Sequence, residues 1–217
     1  MESGGDSTRL KSKKIENKAN TPESHGSIMS SKRVLIVASS PRKNSNSTTL
    51  ANKAAEGVTA GGGEADLVNI GNMKIAPCTA CDACRVTQDA GCIIDDDMKP
   101  LYQKIKEAQG VIFASPVYWF NMSAQMKCFI DRTYAVHTDD GYALTGKDVG
   151  VILTYEDKDV YVSGGVNALR SFMDIFAYVR ANPVGMVYGS VGKAGDILGN
   201  EKALQEAYEL GMKMVKP

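Results

Sequence analysis

Residues 34–50 of the chain read VLIVASSPRKNSNSTTL, a short apolar run followed at once by a polar, hydroxyl-rich turn. Five consecutive apolar residues at 34–38 are typical of a strand buried on both faces, as in a parallel sheet covered by helices. Apolar residues resume at helical spacing from Leu50, so a helix is predicted to begin near Ser47. The stretch therefore predicts a strand, a turn and a helix, the opening unit of an α/β sheet.

The turn itself is suited to binding a phosphate. A helix amino terminus presents free N–H groups and the positive end of the helix dipole, and six Ser or Thr residues surround this one. The turn contains no glycine and matches neither GxxxxGK[ST] nor GxGxxG. We predict a monophosphate pocket, and the alternative is an ordinary turn whose side chains only cap the helix. The predicted cofactor-binding residues here are Ser39, Pro41, Arg42, Ser45, Asn46, Ser47 and Thr48.

Strand-like and helix-like segments alternate along the rest of the chain. Further strands are predicted at 65–70, 111–114, 149–153 and 184–188. Asp95 is predicted to cap the helix before the third strand, and Asn200 the last helix. This alternation predicts an α/β fold, a flavodoxin-like doubly wound five-stranded parallel sheet in the order 2-1-3-4-5.

The strand order predicts where a ligand lies. The carboxyl ends of strands one, three and four become neighbours, so loops 39–47, 115–121 and 154–165 should form the site together. These loops offer the backbone amides and the apolar or aromatic faces that a flat flavin ring needs. Trp119, the only tryptophan, fits either a ring-stacking role or a core or interface role. The predicted cofactor-binding residues of the two later loops are Ser115, Pro116, Val117, Tyr118, Trp119, Asn121, Thr154, Gly164 and Gly165.

Composition argues against several classes of protein. The 25 basic and 25 acidic residues cancel, so nothing indicates a nucleic-acid or anionic-membrane partner. No apolar run reaches the length of a membrane span. Residues 1–31 have almost no large apolar side chains, and we expect a disordered tail before one domain at 32–217. Without a signal-peptide pattern, the expected location is the cytoplasm.

Four of the five cysteines lie within fifteen residues, as CxxCxxC, seven residues and a fourth cysteine. Three thiolates from one short turn and a fourth from nearby suit a [4Fe–4S] cluster. In structural zinc sites, two CxxC pairs are usually separated by roughly 15–20 residues. The four cysteines of this chain are spaced more closely, which argues against zinc. A loop that holds no cluster is the other alternative. The predicted ligands on the cysteine-rich loop, 78–92, are Cys78, Cys81, Cys84 and Cys92.

Two other residues could in principle bind a metal or donate a proton, but we predict that they do not. Cys128 is distant in sequence from the cysteine-rich loop and is expected to be a small core side chain. His137 has Asp139 nearby in sequence and could donate a proton, but an exposed loop histidine is the preferred interpretation. No Ser/His/Asp set is apparent, and no catalytic side chain is predicted because a flavin takes hydride directly at N5.

Several segments resemble the NADPH-dependent FMN reductase superfamily, in particular its iron–sulfur flavoproteins. SSPRKNSNSTTL at 39–50 resembles the family's SPRKxSNT loop, and SPVYW at 115–119 with SAQMKCFIDRT at 123–133 resembles SPVYxxxxSAxxKxxIDR. The cysteine motif followed by DDM at 96–98 resembles the iron–sulfur flavoproteins. The resemblance implies FMN as cofactor, a cluster on the loop, and subunit contacts that make a homodimer or homotetramer.

These observations predict an FMN-dependent oxidoreductase that passes electrons between bound FMN and a [4Fe–4S] cluster. The main alternative is a cluster-free NAD(P)H-dependent FMN or quinone reductase, and a third is a plain flavodoxin-like electron carrier. NAD(P)H is a possible electron donor. The expected partner is a small redox molecule or an electron-carrier protein, with neither nucleic acid nor membrane involved.

Overall fold

The apolar run at 34–38 lies inside a parallel sheet in a computed structural model, which describes residues 31–86, 91–138 and 141–216. The strands in these ranges are β1 (Arg33–Ala38), β2 (Glu64–Asn69), β3 (Gly110–Tyr118), β4 (Asn121–Met122), β5 (His137–Thr138), β6 (Gly141–Tyr142), β7 (Asp148–Tyr155) and β8 (Asn182–Ser190). The helices are α1 (Asn46–Ala60), α2 (Lys99–Glu107), α3 (Ala124–Arg132), α4 (Gly165–Val179) and α5 (Glu201–Val215). The predicted disordered tail lies outside the described residues, apart from Ser31.

The sheet order confirms the predicted fold. The strands lie as β2-β1-β3-β7-β8, and every neighbouring pair is parallel. Numbered among themselves, these five strands have the flavodoxin-like order 2-1-3-4-5. The short β4 pairs antiparallel with the end of β3, and β5 and β6 form a separate two-stranded ribbon.

The alternation of side chains along β1 divides the core between the two faces of the sheet. Leu35 and Val37 belong to one buried cluster, which α2, α3 and α4 cover. Val34 and Ile36 belong to the other, which α1 and α5 cover. The two latter helices pack backbone to backbone, because a Cβ added at Gly211 would lie 1.9 Å from the Ala54 carbonyl oxygen. Leu50 and Ala51, near the start of α1, belong to the same buried cluster as Val34 and Ile36 and so hold the beginning of this helix against the sheet.

Some predicted boundaries are wrong. The third strand is longer than 111–114, because β3 pairs with β7 as far as Pro116 and Thr154. Asp95 does not cap the following helix: α2 begins at Lys99 with Met98 as its N-cap residue, and Asp95 instead forms an ion pair with Lys99 at 2.8 Å.

Further predictions concern the cap of the last helix, the positions of Cys128 and His137, and membrane spans. The cap at Asn200 is confirmed, since its side chain accepts the Ala203 N–H at 3.0 Å. Cys128 is helical as expected, but it is only half-buried rather than a core residue. The backbone of His137 belongs to β5, while its side chain lies outside what the structure describes. Among the described helices, none combines the length and apolarity needed to cross a membrane.

Candidate functional site

A cavity of about 120 Å³ opens at the carboxyl end of the sheet, and we call it the strand-end cavity. The lining residues are Ser40, Arg42, Ser45, Asn46, Pro116, Val117, Tyr118, Thr154, Tyr155, Glu156, Val191, Gly192 and Ala194. The structure thus brings together the three loops that the strand order predicted. It adds a fourth, the loop after β8, which the same rule about carboxyl ends could have identified.

The first turn of α1 has the features of an anion site. Ser45 is its N-cap residue, and the Ser45 side chain accepts the Thr48 N–H at 3.4 Å and lies 3.1 Å from the Ser47 hydroxyl. The Thr48 hydroxyl is buried and has no hydrogen-bond partner among the described residues. Neither Ser47 nor Thr48 is among the lining residues, so the predicted phosphate ligands of this turn that reach the cavity are Arg42, Ser45 and Asn46.

Two predicted phosphate ligands are occupied with other tasks. The Ser39 hydroxyl is buried outside the cavity lining, 2.8 Å from the Ser123 hydroxyl. The Asn46 side chain accepts two backbone N–H groups and donates to one carbonyl of the 193–197 loop, at 2.8–3.3 Å. Asn46 therefore joins the turn to the loop after β8. Pro41 lies beside the cavity and is not among its lining residues.

The segment 115–122 supplies one wall and a strained turn. Pro116, Val117 and Tyr118 line the cavity, and the Arg42 guanidinium lies 5.8 Å from the centroid of the Tyr118 ring. The next two residues, Trp119 and Phe120, both have positive φ, 46° and 65°. A type I′ hairpin turn requires this conformation, which usually selects Asn and Gly. Trp119 is 94% exposed and lies outside the lining, so it is not a core residue.

The remaining predicted flavin-loop residues mostly support this turn. The Ser115 hydroxyl is buried and accepts the Ser123 N–H at 3.0 Å, and Asn121 accepts the N–H of the next residue at 2.8 Å. Thr154 lines the cavity, whereas Gly164 and Gly165 do not.

Gly164 has a packing role against the strained turn. It has a φ of +72°, and a Cβ there would lie 2.4 Å from the Cβ of Phe120. The Asn167 side chain donates to the Phe120 carbonyl at 3.2 Å. Gly164 and Asn167 thus hold the turn from the α4 side.

The four cysteines of the loop line a second cavity, of about 440 Å³, which we call the cysteine cavity. Much of its remaining wall is apolar and aromatic, with Tyr134, Tyr142 and Tyr178 among the lining residues. It shares no lining residue with the strand-end cavity, and Cys128 is not part of it. Within the described ranges, no three Cys, His, Asp or Glu side chains are gathered into a metal-holding group. Residues 87–90 of the loop lie outside those ranges.

The thiols in this cavity differ in their surroundings. Burial raises the pKa of the Cys84 thiol, and the nearby Cys92 and Cys78 thiols raise it further. In contrast, hydrogen bonds from the Ala83 N–H and then the Thr79 hydroxyl lower the pKa of the exposed Cys81. Cys84 therefore lies near two other thiols of the set, whereas Cys81 is exposed.

The comparisons with known proteins agree with this geometry. Residues 32–196 match the family model described as NADPH-dependent FMN reductase. The chain belongs to this family. Membership confirms the prediction of a flavin-dependent oxidoreductase and supports FMN as its cofactor.

Individual relatives carry related names. An iron–sulfur flavoprotein of Archaeoglobus fulgidus is 32% identical over 182 residues, 83% of this chain and 77% of that protein. An iron–sulfur flavoprotein of Methanosarcina thermophila is 42% identical over 122 residues, 56% of this chain but only 62% of that protein's length. The solved NAD(P)H:quinone oxidoreductase of Methanothermobacter marburgensis has a TM-score of 0.65 at 20% identity, with 87% of this chain and 99% of that chain covered. The last similarity concerns the fold alone.

Proposed function

We propose that this oxidoreductase passes electrons between FMN in the strand-end cavity and a [4Fe–4S] cluster held by Cys78, Cys81, Cys84 and Cys92. The observation that carries the proposal is the arrangement of all four thiols around one cavity. Thiolates are the ligands that iron–sulfur clusters prefer. The relatives named iron–sulfur flavoproteins support the same assignment.

The strand-end cavity provides what an FMN site needs. The positive end of the α1 dipole, the Ser45 hydroxyl and the positive charge of Arg42 would hold the phosphate, since Ser45 and Arg42 both line the cavity. Pro116, Val117 and Tyr118 offer an apolar and aromatic wall for the ring system. When bound, FMN supplies an acceptor for a hydride, which carries two electrons. The chain's own residues orient it and shield one side from water.

A cluster that exchanges electrons with FMN would convert the two-electron transfer of a hydride into single-electron steps, because a cluster takes one electron at a time. NAD(P)H is the proposed source of the hydride, and a small redox molecule or an electron-carrier protein is the proposed partner for the single electrons. We propose a homodimer or homotetramer because of the family resemblance, and a cytoplasmic location because clustered thiols stay reduced there.

A cluster-free NAD(P)H-dependent FMN or quinone reductase is the second candidate. It is favoured by the absence, within the described ranges, of a preassembled group of three metal-binding side chains. In that case the cysteine-rich loop would be an ordinary surface loop that binds no iron.

Iron analysis separates the two candidates. The protein is purified anaerobically with iron and sulfide supplied, and FMN, iron and acid-labile sulfide are measured per chain. We expect FMN together with about four iron atoms per chain, the iron content of one [4Fe–4S] cluster. FMN without iron would establish the cluster-free reductase instead.

A pair of cysteine variants tests the ligand assignment. Cys92→Ser should retain FMN and lose most of the iron, or leave a three-iron species in the electron paramagnetic resonance spectrum. Cys128→Ser is the matched control, because Cys128 lies outside the cysteine cavity, and it should keep both cofactors. Equal iron in the two variants would show that Cys92 is not a ligand.

A further inference from the structure

A buried ion pair lies at the base of the cysteine loop. Arg132, the last residue of α3, is 1% exposed. Two nitrogens of its guanidinium contact both carboxylate oxygens of Asp96, at 2.6 and 3.1 Å. An ion pair removed from water in this way is retained only where its geometry is good and its other hydrogen bonds are satisfied.

The pair joins the two ends of the loop. Asp96, which follows the loop, accepts the N–H of Ala76, which precedes it, at 2.9 Å. Arg132 donates to the carbonyl of the same Ala76 at 2.9 Å. Beside them, Asp97 accepts the Lys74 N–H at 2.7 Å and donates its own N–H to the Lys74 carbonyl at 3.1 Å. The ends of the cysteine loop are therefore closed by protein contacts alone.

The same guanidinium also contacts α2. Its Nε donates to the Tyr102 hydroxyl oxygen at 3.2 Å. Arg132 itself lines the cysteine cavity together with the four thiols of the loop. The ion pair therefore joins the loop ends to α2 and α3 at the wall of this cavity.

We propose that Asp96 and Arg132 form a clip that closes the cysteine loop without any metal, and that the Tyr102 hydroxyl holds the Arg132 guanidinium in place for this contact. The purpose assigned to the clip rests on the proposed function. Closing a long loop costs chain entropy. Because the clip has already closed it in the folded chain, the thiols stay within reach of one another before a cluster assembles.

The clip is tested in the iron-free protein by hydrogen exchange. Arg132→Lys keeps the charge but cannot make the forked contact with Asp96 while also reaching Ala76 and Tyr102. Asp96 accepts the N–H groups of both Ala76 and Met98. We expect these two amides to exchange at least about tenfold faster in the variant, with FMN still bound as proof of folding. Arg170→Lys is the control, because Arg170 makes a similar contact with Asp174 on an exposed face of α4. Unchanged exchange in Arg132→Lys would overturn the clip.

The Tyr102 contact is tested in the same iron-free protein. Tyr102→Phe removes only the hydroxyl, and we expect the Ala76 and Met98 amides to exchange faster than in wild type, by a smaller factor than in Arg132→Lys. Tyr142→Phe is the control, since its hydroxyl bonds to Tyr178 in the cysteine cavity. Equal exchange in Tyr102→Phe and wild type would overturn the role of Tyr102. Wild type that takes up no iron would defeat the proposed function, while the exchange measurement would still decide the clip.

Discussion

The two cavities of this protein are built in opposite ways. At the strand-end cavity the turn is tied into the fold, because Ser39 bonds to Ser123 and Asn46 bonds to the 193–197 loop. At the cysteine cavity, Cys78 and Cys81 are exposed, and the loop is anchored at its two ends. The difference indicates that the proposed phosphate site is formed by folding itself, whereas the proposed cluster site has an ordered base and thiols that are less constrained.

The largest expected effect tests whether the base of the cysteine loop is as firmly built as the strand-end turn. Asp96→Ala leaves Arg132 buried without its partner, which should lower the free energy of unfolding by about 3–5 kcal/mol. Asp131→Ala is the control, because its ion pair with Lys127 is exposed and should contribute less than about 1 kcal/mol. Denaturant unfolding of the iron-free proteins measures both. If Asp96→Ala changes the free energy of unfolding only slightly, the cysteine loop is loosely held even at its base, and the two cavities differ more than the contacts indicate.

The same carboxyl should make this contribution depend on pH. Burial opposes the ionisation of Asp96, but hydrogen bonds from Arg132 and from the Ala76 and Met98 N–H groups outweigh it and lower the pKa of Asp96. Stability from a lowered carboxyl pKa is present above the unfolded value, about 4, and is lost as pH falls through the folded value. The difference in unfolding free energy between wild type and Asp96→Ala should therefore shrink below about pH 4. A constant difference down to pH 2 would contradict the assigned ion pair.

The next effect concerns the strand-end turn. Asn46→Ala removes three hydrogen bonds to the 193–197 loop, and we expect a loss of about 1–3 kcal/mol in unfolding free energy without FMN present. FMN affinity, measured by fluorescence quenching, should fall as well because the turn loses its support. Asn72→Ala is the matched control, as Asn72 is exposed and makes one long contact with the Pro41 carbonyl. If FMN affinity falls while the free energy of unfolding stays unchanged, Asn46 binds FMN directly and does not support the turn.

A smaller effect, of opposite sign, is expected at the strained turn beside the strand-end cavity. Replacing Trp119 by Asn and Phe120 by Gly matches the two positive φ angles and should stabilise the protein by about 1–2 kcal/mol. The double alanine variant is the control, because it removes both rings but keeps a Cβ at each strained position. Thermal unfolding distinguishes them. Equal stability of the two variants would show that the rings, rather than the backbone, determine the result.

The smallest expected effect is on the thiols themselves. Cys78 is exposed, so Cys78→Ser in the iron-free protein should change the unfolding free energy by less than about 0.5 kcal/mol. Cys128→Ser, at a half-buried position on α3, should cost somewhat more, about 1 kcal/mol. Chemical denaturation of both variants provides the comparison. A larger loss at Cys78 would mean that the loop is packed as tightly as the strand-end turn.

Sequence patterns were most informative where a side chain's role follows from its neighbours in the chain. The meeting of the loops after β1, β3 and β7 followed from strand order, and the thiols of the cysteine cavity followed from their spacing. The loop after β8 was missed although the same reasoning applied to it. The roles of Ser39 and Asn46 could not be predicted, because their partners lie 84 and about 150 residues further along the chain.

The apolar run at 34–38 and the alternation of strands and helices determined the fold, and the hydroxyl-rich turn and the clustered cysteines determined which classes of ligand we propose, because burial, helix-end chemistry and thiol spacing are local properties. Only the tertiary structure decided which polar side chains the fold itself uses. Thr48 is left unpaired, whereas Asn46 is used within the fold. It also decided that Asp96 meets Arg132 instead of water. Such choices depend on which distant groups packing brings within hydrogen-bond distance, and sequence spacing does not encode that distance.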